Sequence, residues 1–449
     1  MASPTSALSG ITNPTTAGNF SASQYVQSII ASESAPEQQM QQQVSTLSTQ
    51  ATALGTISTQ LNALQTAVFA LNDFQGALNA QVATSSDTGV VTATAGSGAT
   101  AGTHTVVVSN LATTSSQYSN TLTDGNTTFA TGSVDIQVGS GTPTSLTVDS
   151  TDDTLSTLAT AINNANAGVT ASVITDASGS RLGLISNTSG ASGQIAISNN
   201  TTGLTFTQAV GGANANFTLD GINLASASNA VTGVLQGVTL DLQGVSSAAG
   251  ATVTIAPDTT QATTAIQSFV TAYNTVIQSL DTQFTYNPQT QSTGALGSDQ
   301  TVMQLQQNLL GDAAFSISGN SGMTNLASIG IAMNEDGTLT IDNATLSASM
   351  ASNYGAVQNL FQSVSPAGFA QNFSNDLLNL TDPSKGLVAL DQQGIQQQTN
   401  DLNQQITDFQ TNLNAQEAQL MQVYSQVAVT IQNMPTLLSQ TQSELSSLG

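Results

Sequence analysis

ITDFQTNLNAQEAQLMQVYSQV, residues 406–427, spaces its apolar residues by threes, fours and sevens. That spacing is typical of the buried face of a helix in a coiled coil. The ionisable residues beside this face are Asp408 and Glu417, and the stretch contains no Lys or Arg. Because ion pairs are not available to select a partner helix, the partner has to be inferred from the rest of the chain.

A second long helical pattern lies towards the other end of the chain, from Glu37 to Val82. A continuous helix of that length would extend ~70 Å at 1.5 Å per residue. We expect the two helices to pack together as a coiled-coil stem built from both termini, although periodicity alone does not separate such a hairpin from a bundle of several chains. The positions nominated for the stem and for assembly are the apolar residues of the two patterns: Leu54, Ile57, Leu61, Leu64, Val68, Leu71, Leu402, Ile406, Phe409, Leu413, Leu420 and Val427.

Two prolines bear on these terminal helices. Pro36 should end or restart a short helix that carries Val26 and Ile29. The final helix is predicted from about Gln392 to Leu448, and Pro435 should kink or interrupt it because proline has no amide hydrogen.

Between the helical regions the pattern changes to that of β-strands. VVTATA and THTVVVSN cluster or alternate β-branched residues, and residues 118–207 predict the order strand, strand, helix, strand, turn, strand. Asp220–Gly221 has the composition of a tight hairpin turn, and the strands should end near Pro257. Helical spacing then resumes, and IGIAMNEDGTLTID predicts a further hairpin. The fold class is therefore α+β and multidomain, with a helical stem and inserted β-rich domains.

Five segments follow from these changes of pattern. We predict an N-terminal leg segment, a helical stem domain, a first β-rich domain, an inserted outer β-rich domain and a C-terminal leg helix. Their bounds are residues 1–45, 46–83 with 258–400, 84–117 with 211–257, 118–210 and 401–449.

The composition of the 449 residues restricts the partners. Charged residues make up 6% of the chain, and Arg181 and Lys385 are the only Lys or Arg against 26 acids, for a formal net charge of −24. Nucleic acid and anionic membrane surfaces are disfavoured, because both are bound through clustered Lys and Arg. We predict no cofactor, and neither a secretory signal nor a membrane-spanning segment is recognisable.

Catalytic and metal-binding residues are scarce. The one histidine, His104, lies in a strand pattern where spacing nominates no catalytic partner, so a structural role is favoured. Asp149, Asp152 and Asp153 lack the spacing of a calcium-binding loop. Asp152 or Asp153 is better explained as the N-cap of the helix that follows. We therefore expect neither a catalytic site nor a metal site, and no enzyme activity.

Several blocks resemble the flagellar hook-associated protein 2 family, also called the flagellar filament cap family. The most specific block is ATSSDTGVVTATAGSGATAGTHTVVVSNLA, which is similar to the family's entry into its first β domain. TLSTLATAINNANAGVTASVITDASGSRLGLIS resembles the IN motif of flagellin-related proteins, centred on Ala161, Ile162 and Asn163 with Arg181–Leu182 downstream. FTLDGINLASASNAVTGVLQGVTLDL, LASIGIAMNEDGTLTID and NLNAQEAQLMQVYSQ agree in order. Family members usually carry many Lys and Arg in these helices, where this chain has Gln, Asn and Ser.

The resemblance implies a non-enzymatic cap at the distal end of the bacterial flagellar filament. Family members form a homo-oligomeric ring, typically a pentamer, that retains and places exported flagellin. The implied partners are therefore further copies of the chain, flagellin, the end of the filament or hook-filament junction, the flagellar type III export apparatus and an export chaperone. The implied location is secreted and extracellular, on the flagellum.

Alternative classes remain open at this stage. Flagellin also joins terminal helices around β domains, but its LSSG and DDAAG-like runs are absent from residues 1–90. A β-rich surface adhesin would not need apolar stripes at both ends, and cell adhesion could accompany a cap. A glycosidase would use paired carboxylates, but the chain has no Trp for a sugar platform.

The lack of cations generates a prediction about pH. Near neutral pH the acids repel one another, whereas at about pH 3 most carboxylates are neutral and few positive groups remain to drive unfolding. We hypothesise that the protein works outside the cell in an acidic medium; a halophilic protein would instead be rich in acids. Thermal melting and ring assembly from pH 3 to pH 8 at fixed salt should show that both persist in acid. A steep fall of both below pH 5 would contradict the hypothesis.

Overall fold

The computed structural model describes residues 21–289, 291–364 and 367–447, which form a mixed α+β fold with helices towards both ends and β-sheets between them. This confirms the predicted fold class. The first 20 residues, which include the start of the predicted leg segment and the stretch searched for a signal peptide, lie outside the described residues. The last two residues of the predicted C-terminal leg helix lie outside them as well.

The helices and strands are numbered here in chain order. The helices are α1 Ala22–Glu33, α2 Ala35–Asn72, α3 Leu155–Asn164, α4 Thr259–Phe284, α5 Gln300–Ala313, α6 Asn343–Gln362, α7 Phe369–Thr381 and α8 Leu387–Ser447. The strands are β1 Gln81–Ser85, β2 Val91–Ala95, β3 Gly102–Asn110, β4 Thr114–Ser119, β5 Gly132–Val138, β6 Thr144–Val148, β7 Val169–Asp176, β8 Gly179–Ser189, β9 Ile195–Ser198, β10 Phe206–Val210, β11 Ala215–Leu219, β12 Ile222–Ser226, β13 Ala230–Leu235, β14 Val238–Leu242, β15 Ala251–Pro257, β16 Ile331–Met333 and β17 Leu339–Ile341.

These elements form two compact units. The helical unit takes its described residues from Met1–Phe69, Ser268–Asp342 and Val364–Gly449. The β-rich unit comprises Ala70–Gln267 and Asn343–Ser363. Each unit is described by itself below.

The core of the helical unit contains an aromatic cluster. Phe269 and Tyr273 of α4 meet Phe369 and Phe373 of α7, and all four side chains are fully buried. The ring centroids of Phe269 and Phe369 are 5.4 Å apart, and those of Phe369 and Phe373 are 5.6 Å apart, both in edge-to-face contact. Such pairs contribute about 0.5–1.5 kcal/mol each beyond the burial of their area. The buried face of α4 from Phe269 to Leu280 therefore lies in the core of this unit.

Two predicted features of the terminal helices are wrong. α8 is continuous through Pro435, so the helix is not interrupted there, and it begins at Leu387 rather than near Gln392. A kink at Pro435 stays a prediction. Proline leaves the carbonyl of Ile431 without its helical N–H partner. The side chains of Met434 and Thr436 beside Pro435 are exposed, so this part of α8 is open to solvent, where a missing helical hydrogen bond costs little.

The long N-terminal helix is shorter than predicted, since α2 ends at Asn72 rather than Val82. The side-chain amide of Gln362 donates to the carbonyls of Leu71 and Asp73, at 2.9 Å each. These two carbonyls, at the end of the helix, thus have a partner in place of a helical N–H. Val82 instead lies in β1, opposite Ala256 of β15.

The β-rich unit contains two hydrophobic cores. One lies within the sheets β1-β15-β3-β11-β12 and β13-β14-β2, around Val106, Phe217 and Leu240. The other lies within the sheets β10-β4-β8-β7 and β6-β5-β9 together with α3, around Leu158 and Leu182. The strand pairs of these sheets are antiparallel, so alternating side chains face the cores, as the sequence alternation predicts.

The predicted hairpin turn at Asp220–Gly221 is confirmed. It connects β11 to β12, with Leu219 opposite Ile222. Both turn residues have positive φ, 51° and 83°, which is the conformation that an Asp-Gly pair adopts most readily in a two-residue hairpin.

The cap of α3 differs from the prediction. The N-cap is Thr154, and neither Asp152 nor Asp153 occupies that position. The Thr154 hydroxyl oxygen accepts the N–H of Thr157 at 3.2 Å, and the Thr157 hydroxyl meets the N–H of Thr154 at 3.2 Å. This reciprocal pairing satisfies two amides at once, which one Asp side chain at the cap would not do.

Substitution of Tyr273 measures the cost of burying a hydroxyl group. The side chain is fully buried and its hydroxyl has no hydrogen-bond partner among the described residues, while burial raises the pKa of the phenol far above its usual range. Tyr273→Phe should leave the free energy of unfolding unchanged or raise it by up to about 1 kcal/mol, because an unsatisfied polar group is removed. Tyr273→Ala should lower it by about 3–5 kcal/mol through the cavity it creates. Urea unfolding followed by circular dichroism at 222 nm measures both free energies. A loss above about 1 kcal/mol for the Phe variant would refute the conclusion that the Tyr273 hydroxyl is unsatisfied.

Candidate assembly surfaces

The two ends of the chain pair antiparallel within the helical unit. The rings of Tyr25 in α1 and Tyr424 in α8 meet edge to face with centroids 4.8 Å apart. Further along, the amide of Gln410 in α8 donates to Glu37 Oε1 in α2 at 2.6 Å. As the chain advances through α1 into α2, its partners in α8 therefore move towards lower numbers, as in an antiparallel pair.

The nominated positions of α2 and α8 differ in exposure. Those of α2 are fully buried: Leu54, Ile57, Leu61, Leu64, Val68 and Leu71. In α8, Leu413 is buried and Val427 is 39% exposed. The other four are half-buried: Leu402, Ile406, Phe409 and Leu420. The stripe on α2 is therefore covered by its own chain, whereas the stripe on α8 is only partly covered. The assignment of these residues to assembly stays a prediction.

Open grooves run beside the pairing of α8 with α1 and α2. One, of about 500 Å³, is lined by Pro36, Phe409 and Leu413 among others. A second of similar volume is lined by Leu47 and Leu402 and by glutamines of α2 and α8. Both grooves expose apolar edges of the pairing, so a further helix has room to pack there.

Beyond Tyr424, α8 exposes a row of apolar side chains. Large exposed apolar residues are normal singly, but a contiguous group marks a contact surface. The end row, as we call it, consists of Val427, Met434, Leu437, Leu438 and Leu445, which follow one face of the helix by steps of three, four and seven and are 39–78% exposed.

Neutral amides take the place of ion pairs along this seam. Glu37 accepts hydrogen bonds from the amides of Gln41 at 2.8 Å and Gln410 at 2.6 Å. Asp408 accepts one from the amide of Gln404 at 2.9 Å. In this seam, glutamine amides therefore supply the hydrogen-bond donors that Lys or Arg side chains could otherwise supply.

The IN-like motif ties α3 to its sheet. The Asn163 amide donates to the carbonyl of Ala171 in β7 at 2.9 Å, and the N–H of Ala171 donates to Asn163 Oδ1 at 2.8 Å. Ile162 and Leu182 are buried in the core beneath. Arg181 donates from Nε to Thr121 at 2.9 Å and from a terminal nitrogen to Asp176 at 3.0 Å. These residues hold local structure together.

His104 has a partner that spacing did not reveal. Its Nδ1 lies 2.8 Å from Asp220 Oδ2, and the other carboxylate oxygen of Asp220 accepts the N–H of Thr105 at 2.8 Å. The hydrogen bonds from His104 and Thr105 hold the pKa of Asp220 below its usual range. The pair secures the turn between β11 and β12 to β3, in line with the structural role expected for His104.

The predicted acid cluster is held by local hydrogen bonds. Asp149 accepts the N–H and the hydroxyl of Thr151 at 2.8 and 2.6 Å, and these bonds hold its pKa below the usual range. Across the described residues, no group of three or more His, Cys, Asp or Glu side chains is arranged to hold a metal ion. No helix there is both long and apolar enough to cross a membrane.

Paired terminal helices with exposed apolar rows and β-rich residues inserted between them define a structural protein of the flagellar type. Family profiles agree: flagellar hook-associated protein 2 C-terminus matches residues 212–436, its N-terminus matches 19–115, and the flagellin hook IN motif matches 121–188. The chain belongs to the flagellar hook-associated protein 2 family, which confirms the resemblance inferred from its sequence.

Individual relatives support the same assignment. The B-type flagellar hook-associated protein 2 of Pseudomonas aeruginosa strain PAO1 is 30% identical over 401 residues, covering 82% of this chain and 81% of the relative. The Escherichia coli K12 flagellar hook-associated protein 2 is 27% identical over 401 residues, covering 82% and 83%. A crystal structure of the flagellar cap protein FliD D1-D2-D3 domains from Escherichia coli aligns with a TM-score of 0.61 at 28% identity, covering 77% of this chain and 99% of that one. The chain is thus a member of a flagellar cap family.

The end row makes a prediction about assembly. Replacing Leu437 and Leu438 together by Gln, a residue of similar helix propensity, should shift the oligomers towards monomer, because each covered Leu contributes about 1.5–3 kcal/mol. Mass photometry at micromolar concentration measures the distribution. Thr436→Gln, a nearby exposed position on another face, is the matched control and should assemble like the parent chain. An unchanged distribution in the double variant, or a parent chain that is monomeric at every concentration, would contradict the prediction.

Proposed function

We propose that this chain caps the distal end of the bacterial flagellar filament as a closed homo-oligomeric ring, a pentamer as is typical of the family. The ring retains flagellin subunits as they emerge and places them in the growing filament or at the hook-filament junction. Membership of the cap family supports this proposal. The observation that carries the rest is the end row of α8, because a helix that leaves apolar residues uncovered within the described chain has contact surface to offer other subunits.

The proposal includes the route and place of action. The chain is exported by the flagellar type III apparatus with the help of an export chaperone, and it works secreted and extracellular on the flagellum. Few charges suit a surface that meets variable salt, and the seam bonds join a neutral glutamine amide to a carboxylate, a contact that salt screens less than it screens an ion pair. The domain bounds predicted from the sequence belong to this proposal.

We further propose that capping involves no chemical turnover. His104 and Asp220 form an exposed pair whose position at a hairpin turn explains both residues structurally. The function is mechanical: each subunit contributes binding surface and shape.

Removal of residues 400–449 should abolish capping and leave the β-rich unit folded. The deletion takes away most of α8, including the partner of Tyr25 and the end row, but no residue of the β-rich unit. Filament growth after complementation of a cap-deficient strain measures capping, and detection of the truncated chain in the culture medium separates a capping defect from an export defect. Normal filaments would show that the terminal helices do not carry the function.

A further inference from the structure

The helical unit buries three aspartates without a basic partner. Asp312 of α5 is 7% exposed, while Asp281 of α4 and Asp391 of α8 are half-buried. A buried carboxylate is costly unless it is paired or takes up a proton. Most other acids with perturbed titration in this protein lie in exposed turns, so these three stand apart.

Asp312 faces a second carboxyl group. It lies in a cleft of about 360 Å³ between α5 and α7 that is also lined by Asn308, Asp376 and Asn379. Burial, together with the carboxyl group of Asp376 across this cleft, raises the pKa of Asp312. No N–H or hydroxyl of the described residues donates to Asp312 Oδ2. Two ionised carboxylates in this arrangement repel each other, whereas one proton held between them satisfies both.

Asp391 repeats the arrangement at the other end of α5. Burial, together with the nearby carboxyl group of Asp299, the N-cap of α5, raises the pKa of Asp391. Asp299 Oδ1 already accepts the N–H of Thr301 at 2.8 Å, and Asp391 Oδ2 receives no hydrogen bond from the described residues. A proton on the Asp391 side would complete this contact between α8 and α5.

The groups around these pairs carry no positive charge. Asp312 faces Asp376 from α7 and the phenol of Tyr273 from α4, and Asp391 faces Asp299. Asp281, which also neighbours Tyr273, faces Asp336 from the hairpin after β16 and accepts the Gln306 amide of α5 at 2.6 Å.

The cations of the chain are engaged elsewhere. Lys385, the one Lys or Arg in the sequence of the helical unit, interacts with Asp382. Arg181 and His104 pair with Asp176 and Asp220 in the β-rich unit. Within the part of the chain that the structure describes, only a proton or an added cation is left to neutralise the two acid pairs.

We propose that the Asp312–Asp376 and Asp299–Asp391 pairs form a proton-operated lock, in which a proton held between two carboxyls ties α5 to α7 and to α8 in acid and is released as the pH rises.

The direction of the pH effect follows from the buried groups. Burial, together with Asp376, raises the pKa of Asp312 to about 8, and burial, together with Asp299, raises the pKa of Asp391 to about 6. Unfolded aspartates titrate near ~4, so between pH 4 and these values the folded chain binds more protons than the unfolded chain. Stability from the lock is therefore complete below about pH 4 and declines as the pH rises through about 6 and about 8.

The β-rich unit titrates in the opposite direction. Hydrogen bonds from Ser145 and Asn199 hold the pKa of Asp135 below its usual range, and those from Ser178 and Arg181 do the same for Asp176. These two carboxylates favour the folded state above pH 4 and lose that contribution only as the pH falls below it. The two units should therefore respond differently between pH 4 and pH 8.

A consequence for export rests on the proposed function, whereas the lock itself does not. A chain made at near-neutral pH would have its helical unit loosened while it is passed unfolded to the export apparatus. The same unit would tighten on reaching an acidic exterior. Acid thus becomes a folding signal on the outside of the cell.

Thermal melting of the full chain at pH 4.5 and pH 7.5, at fixed salt and followed at 222 nm where helices dominate, tests the lock. The helical transition of the parent chain should have a midpoint about 5 °C or more higher at pH 4.5. Asp312→Asn and Asp391→Asn, which mimic the protonated group at every pH, should raise the midpoint at pH 7.5 and leave it nearly unchanged at pH 4.5. Each should remove a substantial part of the pH difference. Asp401→Asn, an exposed change of the same charge on α8, is the matched control and should keep the full difference.

Three outcomes would overturn the lock. The first is a parent midpoint that does not rise between pH 7.5 and pH 4.5. The second is a pH difference that both Asn variants retain; if Asp312→Asn fails to fold, Asp391→Asn decides alone. The third uses millimolar Ca²⁺ at pH 7.5: if Ca²⁺ stabilises the parent chain as much as acid does, and Asp312→Asn abolishes that effect, the cleft is a cation site rather than a shared-proton pair.

Discussion

The pairing of the two ends of the chain is the contact on which the helical unit depends. The hydrogen bond from Gln410 to Glu37 closes a loop of 373 residues. The entropic cost of closing a loop grows only slowly with its length, as about (3/2)RT ln n. A long insertion between the paired helices therefore costs little more than a short one. The apolar residues that line the grooves along this pairing, Leu47 with Leu402 and Pro36 with Phe409, lie beside that hydrogen bond and help to offset the cost by burial.

The scarcity of cations changes which interactions can hold the chain together. Carboxylates in this protein find amide, hydroxyl and backbone N–H donors instead of Lys or Arg, as Glu37, Asp149 and Asp135 illustrate. Each such bond contributes on the order of 1 kcal/mol, comparable to an exposed ion pair but with less dependence on salt. Where a buried carboxyl group receives no such hydrogen bond, as at Asp312 Oδ2, it avoids an unpaired charge by keeping its proton. The buried acid pairs and the glutamine-rich seam therefore both follow from the scarcity of Lys and Arg.

Sequence periodicity predicted the elements whose side chains alternate strongly. The α2 and α8 stripes, the strand order around α3 and the Asp220–Gly221 turn all follow from local spacing. Helices α6 and α7 were not assigned: α6 contains Asn353 at non-helical angles, and its sequence mixes Ser, Asn and Ala without a clear stripe. The end of α2 is set by Gln362, and the partner of His104 is 116 residues away. Contacts of that kind depend on tertiary structure, so spacing along the chain does not reveal them.

The family resemblance survived the loss of cations for a physical reason. The residues that carry it satisfy backbone requirements: Asn163 pairs with both polar groups of Ala171, Gly221 adopts positive φ, and Ile162 and Leu182 fill a core. None of these functions requires charge, and each is lost when the residue changes. Surface Lys and Arg contribute little to folding individually, so they are free to be replaced by Gln, Asn and Ser while the fold stays the same. The residues that fix the fold of this chain are therefore neutral, and the charge of its surface can change without altering them.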